Sequence, residues 1–259
     1  MKLQLLESLQ DISSQPINNL SGAYYAVNQQ MDPRFGGNCI AKSLDVANLC
    51  DENGLSVQTL IAAKTHRACL ITDEFGEQYF FDPSLFMAAP ELINDNLLMD
   101  EIDHDCVNPC KFPSIFYSSI SLFGTTAKFD VNWDVTTPYD DYDFSYNFSL
   151  LSKDLQLPRP DAADKIRSKP DSLYLRFLNL EDGYLYCLQY MSFSRKIIIK
   201  PHFTSKIHFL DSNSFDVRNL ISEMEASLDL TELQVRDYFA RSAEIMSEAS
   251  LIWNHSYER

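Results

Sequence analysis

The chain has 259 residues and a formal net charge of −16, and 45% of its residues are hydrophobic. Its length suits one compact multilayer domain, or two or three closely packed ones. The negative charge argues against nucleic acid and acidic membrane surfaces as partners, because both would repel the chain. No apolar run approaches the ~20 residues that span a bilayer, so we expect no membrane association.

The first sixteen residues alternate apolar and polar side chains after a single lysine. They lack the continuous apolar stretch and the small-residue cleavage site of a signal peptide. We therefore expect a short amphipathic helix in a cytoplasmic protein. Without a secretory signal, the cysteines are expected to be free thiols in a reducing compartment. The six cysteines are Cys39, Cys50, Cys69, Cys106, Cys110 and Cys187.

Helical patterns dominate the first part of the chain. Residues 1–31 are predicted to be helical, with a break around "SSQPINNLSG" (13–22). A second helix is predicted from Cys39 to Asp51, where apolar residues recur at helical spacing. Gly54 is the natural C-terminal cap of this helix.

Strand patterns follow, and a helical tail ends the chain. The turn "DEFGE" (73–77) separates "RACLIT" from "QYFFD" and indicates a hairpin. Further strands are predicted at 55–63, 118–150 and 172–211, and residues 155–171 are typical of a linker. The order of helices, many strands and then helices predicts an α+β protein. We expect an N-terminal helical region (1–60), an antiparallel β-barrel or sheet (61–210) and a C-terminal helical or lid segment (211–259).

The stretch "RFGGNC" (34–39) carries the first chemical signal. Only seven glycines occur in the chain, and two of them precede Cys39 at the predicted start of a helix. The helix dipole at this position favours a thiolate over a thiol. Backbone N–H groups near Gly37, Asn38 and Cys39 could also bind an oxyanion that forms on a substrate carbonyl. Cys39 is therefore a candidate nucleophile.

A cysteine nucleophile needs a base, and the base needs a group that orients it. His66 opens one predicted hairpin strand, and Asp82 closes the other. With the turn centred near Glu74, these two residues are expected to lie directly opposite each other. The resulting hypothesis is a triad in which Cys39 attacks an acyl carbon, His66 moves protons and Asp82 holds the imidazole tautomer.

Residues 34–90 resemble the arylamine N-acetyltransferase family. That family has an arginine-glycine-glycine-x-cysteine motif at the start of a helix, then a histidine that opens a hairpin strand, then an aspartate. Here "RFGGNC", "THRACLIT" and "YFFDPSLF" occur in that order, and the late segment "LISEMEASLDL" is similar to a family helix. The chain departs from the family at Phe35, which is inserted in the arginine-glycine-glycine motif. Ala41 replaces the acid that usually lies two residues after the cysteine, and Pro83 and Ser84 replace a valine and a glycine after the aspartate.

The resemblance implies a papain-like or transglutaminase-like core with catalytic residues Cys39, His66 and Asp82. It implies ping-pong transfer of an acyl group from coenzyme A to an amine through a cysteine thioester, with no bound cofactor and no metal. Because relatives of this fold assemble natural products, an acyl carrier protein is an alternative donor and a carrier-bound amine an alternative acceptor. The residues expected next to the substrate are Gly37, Asn38, Phe35, Ser84 and Phe86.

Two other functions stay open at this point. One is a cysteine hydrolase, such as a peptidase or thioesterase, or a transglutaminase-like enzyme on the same core. The other is a binding protein whose Cys39 thiol is unreactive. "HDCVNPC" (104–110) places His104, Cys106 and Cys110 close together, but no second ligand pair with zinc spacing follows. The basic segment "SRKIIIKPH" (194–202) could meet an anionic donor, although a solvated strand surface explains it better.

Overall fold

The computed structural model describes residues 3–62, 66–85, 87, 89–93, 103–107, 117–125, 128–136, 141–150, 172–179, 185–201 and 206–256. Its α-helices are α1 (Leu3–Ser14), α2 (Ser21–Ala26), α3 (Cys39–Glu52), α4 (Phe215–Leu228) and α5 (Glu232–Ser256). Short 3-10 helices cover Pro33–Phe35 and Pro83–Leu85. None of the helices in these ranges combines the length and the hydropathy that crossing a bilayer would require.

The described strands form two antiparallel sheets. They are β1 (Ile17–Asn18), β2 (Ser56–Ala62), β3 (His66–Thr72), β4 (Gln78–Phe81), β5 (Glu91–Ile93), β6 (Asp103–Val107), β7 (Tyr117–Thr125), β8 (Lys128–Thr136), β9 (Asp141–Leu150), β10 (Ser172–Leu178), β11 (Leu185–Met191), β12 (Lys196–Pro201) and β13 (His208–Phe209). One sheet has the order β1-β10-β11-β12-β13, and the other has the order β5-β4-β3-β2-β9-β8-β7-β6.

The expected mixture of helices and antiparallel strands is confirmed, but the expected barrel is not found. In the described ranges both sheets are open, since no pairing joins the outer strands β5 and β6, or β1 and β13. A run of antiparallel strands fits a barrel and an open sheet equally well in sequence. Closure depends on pairings between distant strands, which the strand pattern does not encode.

The chain divides into two compact units that are interleaved in sequence. The first contains residues 1–14 and 39–158, and the second contains residues 15–38 and 159–259. The units are interleaved, whereas the three segments expected above are consecutive, and that expectation stays a prediction. The cause is visible in β1, which pairs with β10 through Ile17↔Arg176 and Asn18↔Leu175 and so joins the N-terminal segment to the late strands.

In the first unit, helices α1 and α3 cover a sheet that contains β2, β3 and β4. Helix α3 contacts β2 and β3, and α1 contacts both α3 and the 3-10 helix Pro83–Leu85. The core between them includes Leu9, Val46, Leu60, Ile71 and Phe80, all of which are fully buried. Burial of such side chains contributes roughly 1.5–3 kcal/mol each. This core fixes the ends of α3, β3 and β4 near one another.

In the second unit, helices α2, α4 and α5 pack with the sheet that contains β10. Its core is rich in aromatic residues, and Phe35 stacks on Tyr238 with ring centroids 3.5 Å apart. The glycine turn belongs to this unit: Gly36 has φ +62°, and a Cβ atom there would lie 1.9 Å from the carbonyl oxygen of Pro16. Only glycine fits this position, because both the backbone angle and the close approach exclude a side chain.

Candidate active site

Cys39 is the first residue of α3, as the sequence predicted. Its thiol is partly exposed, whereas Cys50, Cys69 and Cys187 are free and buried. Burial raises the pKa of the Cys50 thiol to about 11 and also raises the pKa of Cys69 and Cys187. These three thiols are therefore poor nucleophiles near neutral pH. Cys106 and Cys110 lie outside the residues whose side chains the structure describes.

His66 lies at the first position of β3 and contacts both other residues of the hypothesis. Its Nε2 atom is 2.5 Å from Oδ2 of Asp82, and its side chain hydrogen-bonds to that of Cys39. The His66 side chain is 15% exposed, whereas Asp82 is fully buried. Because Asp82 occupies Nε2, Nδ1 is the ring nitrogen left to exchange a proton with Cys39. We call these three residues the Cys39–His66–Asp82 cluster.

The electrostatic balance at His66 favours the imidazolium. Burial alone would lower the pKa of His66, but the Asp82 carboxylate and then Cys39 outweigh burial and raise this pKa to about 10. A buried carboxylate that accepts a hydrogen bond from the ring stabilises the charged form of a histidine. The ring is therefore protonated at neutral pH when its two partners carry negative charge.

Asp82 is held from both sides. Its Oδ1 accepts hydrogen bonds from the backbone N–H and the hydroxyl of Ser84, at 3.0 Å and 2.7 Å. Its own N–H donates to the Met87 sulfur at 3.1 Å. These contacts fix the carboxylate and leave Oδ2 for His66. Ser84, expected beside the substrate, here orients the aspartate, and Phe86 lies outside the described residues.

The register of the hairpin differs from the expectation. Strands β3 and β4 pair through Cys69↔Phe81 and Thr72↔Gln78, so the turn is centred on Phe75 and not on Glu74. His66 therefore lies two residues away from a direct pairing with Asp82, and that part of the prediction was wrong. A shift of two residues keeps side chains on the same side of a sheet, and long side chains reach such diagonal neighbours. The two side chains meet for this reason.

The turn itself explains the shifted centre. The carboxylate of Asp73 accepts hydrogen bonds from the N–H groups of Phe75 and Glu77, and the Asp73 N–H donates to the Glu77 carbonyl. Gly76 takes φ +83°, which suits glycine. A loop built around an aspartate in this way is longer than a two-residue turn, and the hydrophobic pattern does not reveal its centre.

Phe35, Gly37 and Asn38 belong to the second unit and have partners there. Gly37 N–H donates to the Pro16 carbonyl at 3.2 Å, and Asn38 N–H donates to the Ser21 hydroxyl at 3.0 Å. Phe35 is buried against Tyr238. The amide groups of Gly37 and Asn38 therefore serve the turn that precedes α3, and their expected role toward an oxyanion stays a prediction.

Two buried cations near the cluster were not anticipated from the sequence. Lys42, one turn after Cys39 on α3, is fully buried and donates to the carbonyls of Ser13 at 2.9 Å and Pro83 at 3.3 Å. Burial lowers the pKa of Lys42 to about 7, although Asp82 and Asp45 stabilise its charge. Lys42 lies four residues before the buried Val46 and therefore on the apolar face of α3. A charged residue on the apolar face of a helix is the sequence signal that could have revealed its burial.

Arg67 is the second buried cation, 8% exposed, and it directly follows His66 on β3. One of its guanidinium nitrogens donates to the His66 carbonyl at 3.2 Å. Burial lowers the pKa of the Arg67 guanidinium, and the charge of Cys39 opposes that shift, which places the guanidinium in the field of the thiol. An arginine inside an otherwise apolar strand was the signal for it in the sequence.

No metal centre is found in the described part of the chain, where no three histidine, cysteine, aspartate or glutamate side chains lie close enough to hold an ion. The side chains of His104, Cys106 and Cys110 are outside that part. Comparison with known proteins adds no assignment. No known protein family matches the chain, and no curated protein is significantly similar to it.

Proposed function

We propose that the chain is a cysteine acyltransferase that forms an amide through a thioester on Cys39. The observation that carries this proposal is the contact of His66 with both Cys39 and the buried Asp82, at 2.5 Å for the carboxylate. A nucleophile, a base and a group that orients the base are the parts that covalent acyl transfer requires. The start of α3 adds a helix dipole that stabilises negative charge on the sulfur.

The first half of the reaction loads the enzyme. The Cys39 thiolate, paired with the His66 imidazolium, attacks the carbonyl carbon of a thioester donor and forms a tetrahedral oxyanion. When this intermediate collapses, the bond to the donor sulfur breaks, and the imidazolium gives its proton to the departing thiolate. The acyl group then remains on Cys39, and His66 is neutral with Asp82 holding its Nε2 proton.

The second half transfers the acyl group. An amine attacks the Cys39 thioester. The Nδ1 atom of neutral His66 accepts the proton that the amine loses. The carbon–sulfur bond breaks, which releases the amide and restores the thiolate–imidazolium pair. Coenzyme A and an acyl carrier protein both remain candidate donors, and the motif order shared with arylamine N-acetyltransferases supports an amine as acceptor.

The test is intact-protein mass spectrometry after incubation with acetyl- and longer acyl-thioesters of coenzyme A and of a carrier protein. We expect a mass increase equal to one acyl group on the native chain and none on Cys39→Ala, because the other described thiols are buried. Adding an amine should discharge the adduct and yield the amide. Discharge at the same rate with and without amine, giving the free acid, would favour a hydrolase, and an adduct that persists in Cys39→Ala would contradict the proposal.

A further inference from the structure

Lys42 joins the helix that carries the nucleophile to the segment that follows Asp82. Its side chain is fully buried, and its ammonium group donates to the Ser13 carbonyl at 2.9 Å and to the Pro83 carbonyl at 3.3 Å. Ser13 lies at the C-terminal end of α1, and Pro83 begins the 3-10 helix Pro83–Leu85. One buried cation on α3 therefore contacts two other elements of the first unit.

A buried cation is costly, so its position needs a reason. Burying a charge costs free energy that hydrogen bonds to neutral carbonyls offset only in part. The Ser13 carbonyl lies in the last turn of α1, where carbonyls lack intrahelical partners and the helix dipole attracts a cation. Helix capping therefore explains the first of the two bonds. It does not explain the second bond, to Pro83, which leads toward the Cys39–His66–Asp82 cluster.

The bond to Pro83 acts on Asp82 through a short and stiff path. The proline ring fixes the φ of Pro83 and also restricts the backbone of the residue before it, which is Asp82. The residue after it, Ser84, supplies two donors to Oδ1 of Asp82. A shift of the Pro83 carbonyl would therefore move both the carboxylate and the donors that orient it. The path to the nucleophile is equally short, since Cys39 and Lys42 lie three positions apart on α3 and are neighbours on its surface.

We propose that Lys42 is a positioning residue, which holds the segment 82–84 at the distance from α3 that lets His66 contact both Asp82 and Cys39. This inference rests on the acyl transfer proposed above and adds a residue that acts through Asp82. Lys42 need not touch the substrate for this role. A misplacement of about 1 Å in such a cluster can cost on the order of a hundredfold in rate.

The test uses Lys42→Met and Lys42→Gln in the full chain. Methionine has a similar length but no donor, and a hydrophobic side chain often replaces a buried charge without loss of stability. Glutamine also lacks the charge but keeps an N–H donor for the carbonyls. Urea unfolding verifies that both variants are folded. Three quantities are then measured: the rate of acyl loading at saturating donor, the KM for the donor, and the midpoint of the pH profile of Cys39 alkylation by iodoacetamide.

We expect Lys42→Met to lower the saturating loading rate by about tenfold to a hundredfold, with a KM within about twofold of the native value. The midpoint of alkylation should rise by about one pH unit, because a displaced His66 stabilises the thiolate less. Lys42→Gln should lie between Lys42→Met and the native chain in both quantities, although its buried amide makes it the less stable variant. Loss of charge alone would affect the two variants equally.

Val46→Ala is the matched control, because Val46 is fully buried one turn further along α3. It should lower stability and leave the loading rate and the alkylation midpoint unchanged. A residue with a purely structural role would behave in the same way as this control. Lys42→Met that loads at the native rate, or an equal loss of rate in Val46→Ala, would overturn the inference.

Failure of the proposed function would look different, since the native chain would then take an acyl group from no donor. The alkylation profile still decides the role of Lys42 in that case, because it needs no acyl donor. A raised midpoint in Lys42→Met would support the positioning role, and an unchanged midpoint would overturn it. A native midpoint equal to that of an ordinary thiol would contradict both proposals.

Discussion

The two units of the chain bury polar groups of different kinds. All four charged side chains that are buried in the described residues belong to the first unit, namely Lys42, Arg67, Asp73 and Asp82. The buried polar side chains of the second unit are neutral, namely Asn18, Asn38, Asn179 and Ser242. Buried charge is costly, and it concentrates where chemistry needs shifted protonation or fixed fields. The difference supports the proposal that the first unit carries the chemistry.

Asp82→Asn should have the largest effect on activity. The side-chain oxygen of the new asparagine would accept from the two Ser84 donors, so its NH₂ group would face Nε2 of His66. A donor at that position favours the tautomer that carries its proton on Nδ1, which cannot take a proton from Cys39. In a triad this exchange costs about 10⁴-fold in turnover. We expect a loss of that order in the rate of amide formation, measured with a thioester donor. We also expect a lower melting temperature, because the His66 imidazolium loses the buried counter-ion that raises its pKa.

Asp73→Asn is the matched control, because it neutralises another buried carboxylate of the same unit. Asp73 closes the turn between β3 and β4 and does not contact His66 in the described structure. The turn should weaken, and amide formation should stay within about tenfold of the native rate. Equal losses in the two variants would contradict the division between structural and chemical charges inside the first unit.

Gly36→Ala should have the next largest effect, on stability. The new Cβ atom would lie 1.9 Å from the Pro16 carbonyl oxygen at a φ of +62°. We expect a loss of more than about 2 kcal/mol in the free energy of unfolding, since the backbone angle alone costs about 1–2 kcal/mol. Gly54→Ala is the control, with φ +73° and no atom within 4 Å of its Cβ. Its loss should not exceed the cost of the angle, and similar losses in the two variants would contradict the close packing of the second unit.

The pH dependence of stability should show the smallest effect, and its sign follows from two groups. The pKa of His66 rises from 6.5 to about 10 on folding. The stabilisation that His66 adds to the free energy of unfolding is therefore complete below pH 6.5 and is lost as the pH rises through 10. The pKa of Lys42 falls from 10.5 to about 7, so the cost of burying its charge is complete below pH 7 and declines as the pH rises toward 10.5. Between about pH 7 and 10, His66 therefore makes the free energy of unfolding fall with rising pH, whereas Lys42 makes it rise.

Variants of the two groups should reveal these slopes separately. In Lys42→Met the free energy of unfolding should fall with pH relative to the native chain, by up to about 1.4 kcal/mol per pH unit. In His66→Gln it should rise relative to the native chain. Urea unfolding at pH 7, 8 and 9 measures both. If the free energy of unfolding changed with pH in the same way in the native chain and both variants, the pKa shifts assigned to His66 and Lys42 would be contradicted. The interpretation of the buried charges in the first unit would then fail as well.

Local features of the fold and the site were predictable from the sequence. Helix α3 begins at the expected Cys39, β3 begins at the expected His66, and β4 ends one residue before Asp82. Hydrophobic periodicity and turn residues act over a few positions, so they fix elements and their ends. The proximity of His66 and Asp82 followed from the hairpin, even though the register was two residues off.

Features that depend on distant contacts were not predictable. The pairing of β1 with β10, which makes the two units discontinuous, joins segments more than 150 positions apart. Whether the outer strands of a sheet pair with each other also depends on contacts between segments that are distant in the sequence. Lys42 was missed because helix periodicity counts a lysine as a solvent-exposed position, and its burial depends on the carbonyls of Ser13 and Pro83, which come from other elements.

The most direct measurement is the rate of iodoacetamide reaction at Cys39 at pH 6, compared with a cysteine in a short unstructured peptide. An unassisted thiol with an ordinary pKa near 8.5 is less than about 1% thiolate at this pH. We predict that Cys39 reacts at least tenfold faster than the peptide, and that His66→Ala removes most of this advantage because the imidazolium no longer pairs with the sulfur. A Cys39 that reacts no faster than the peptide would contradict the central claim that the Cys39–His66–Asp82 cluster activates a nucleophile.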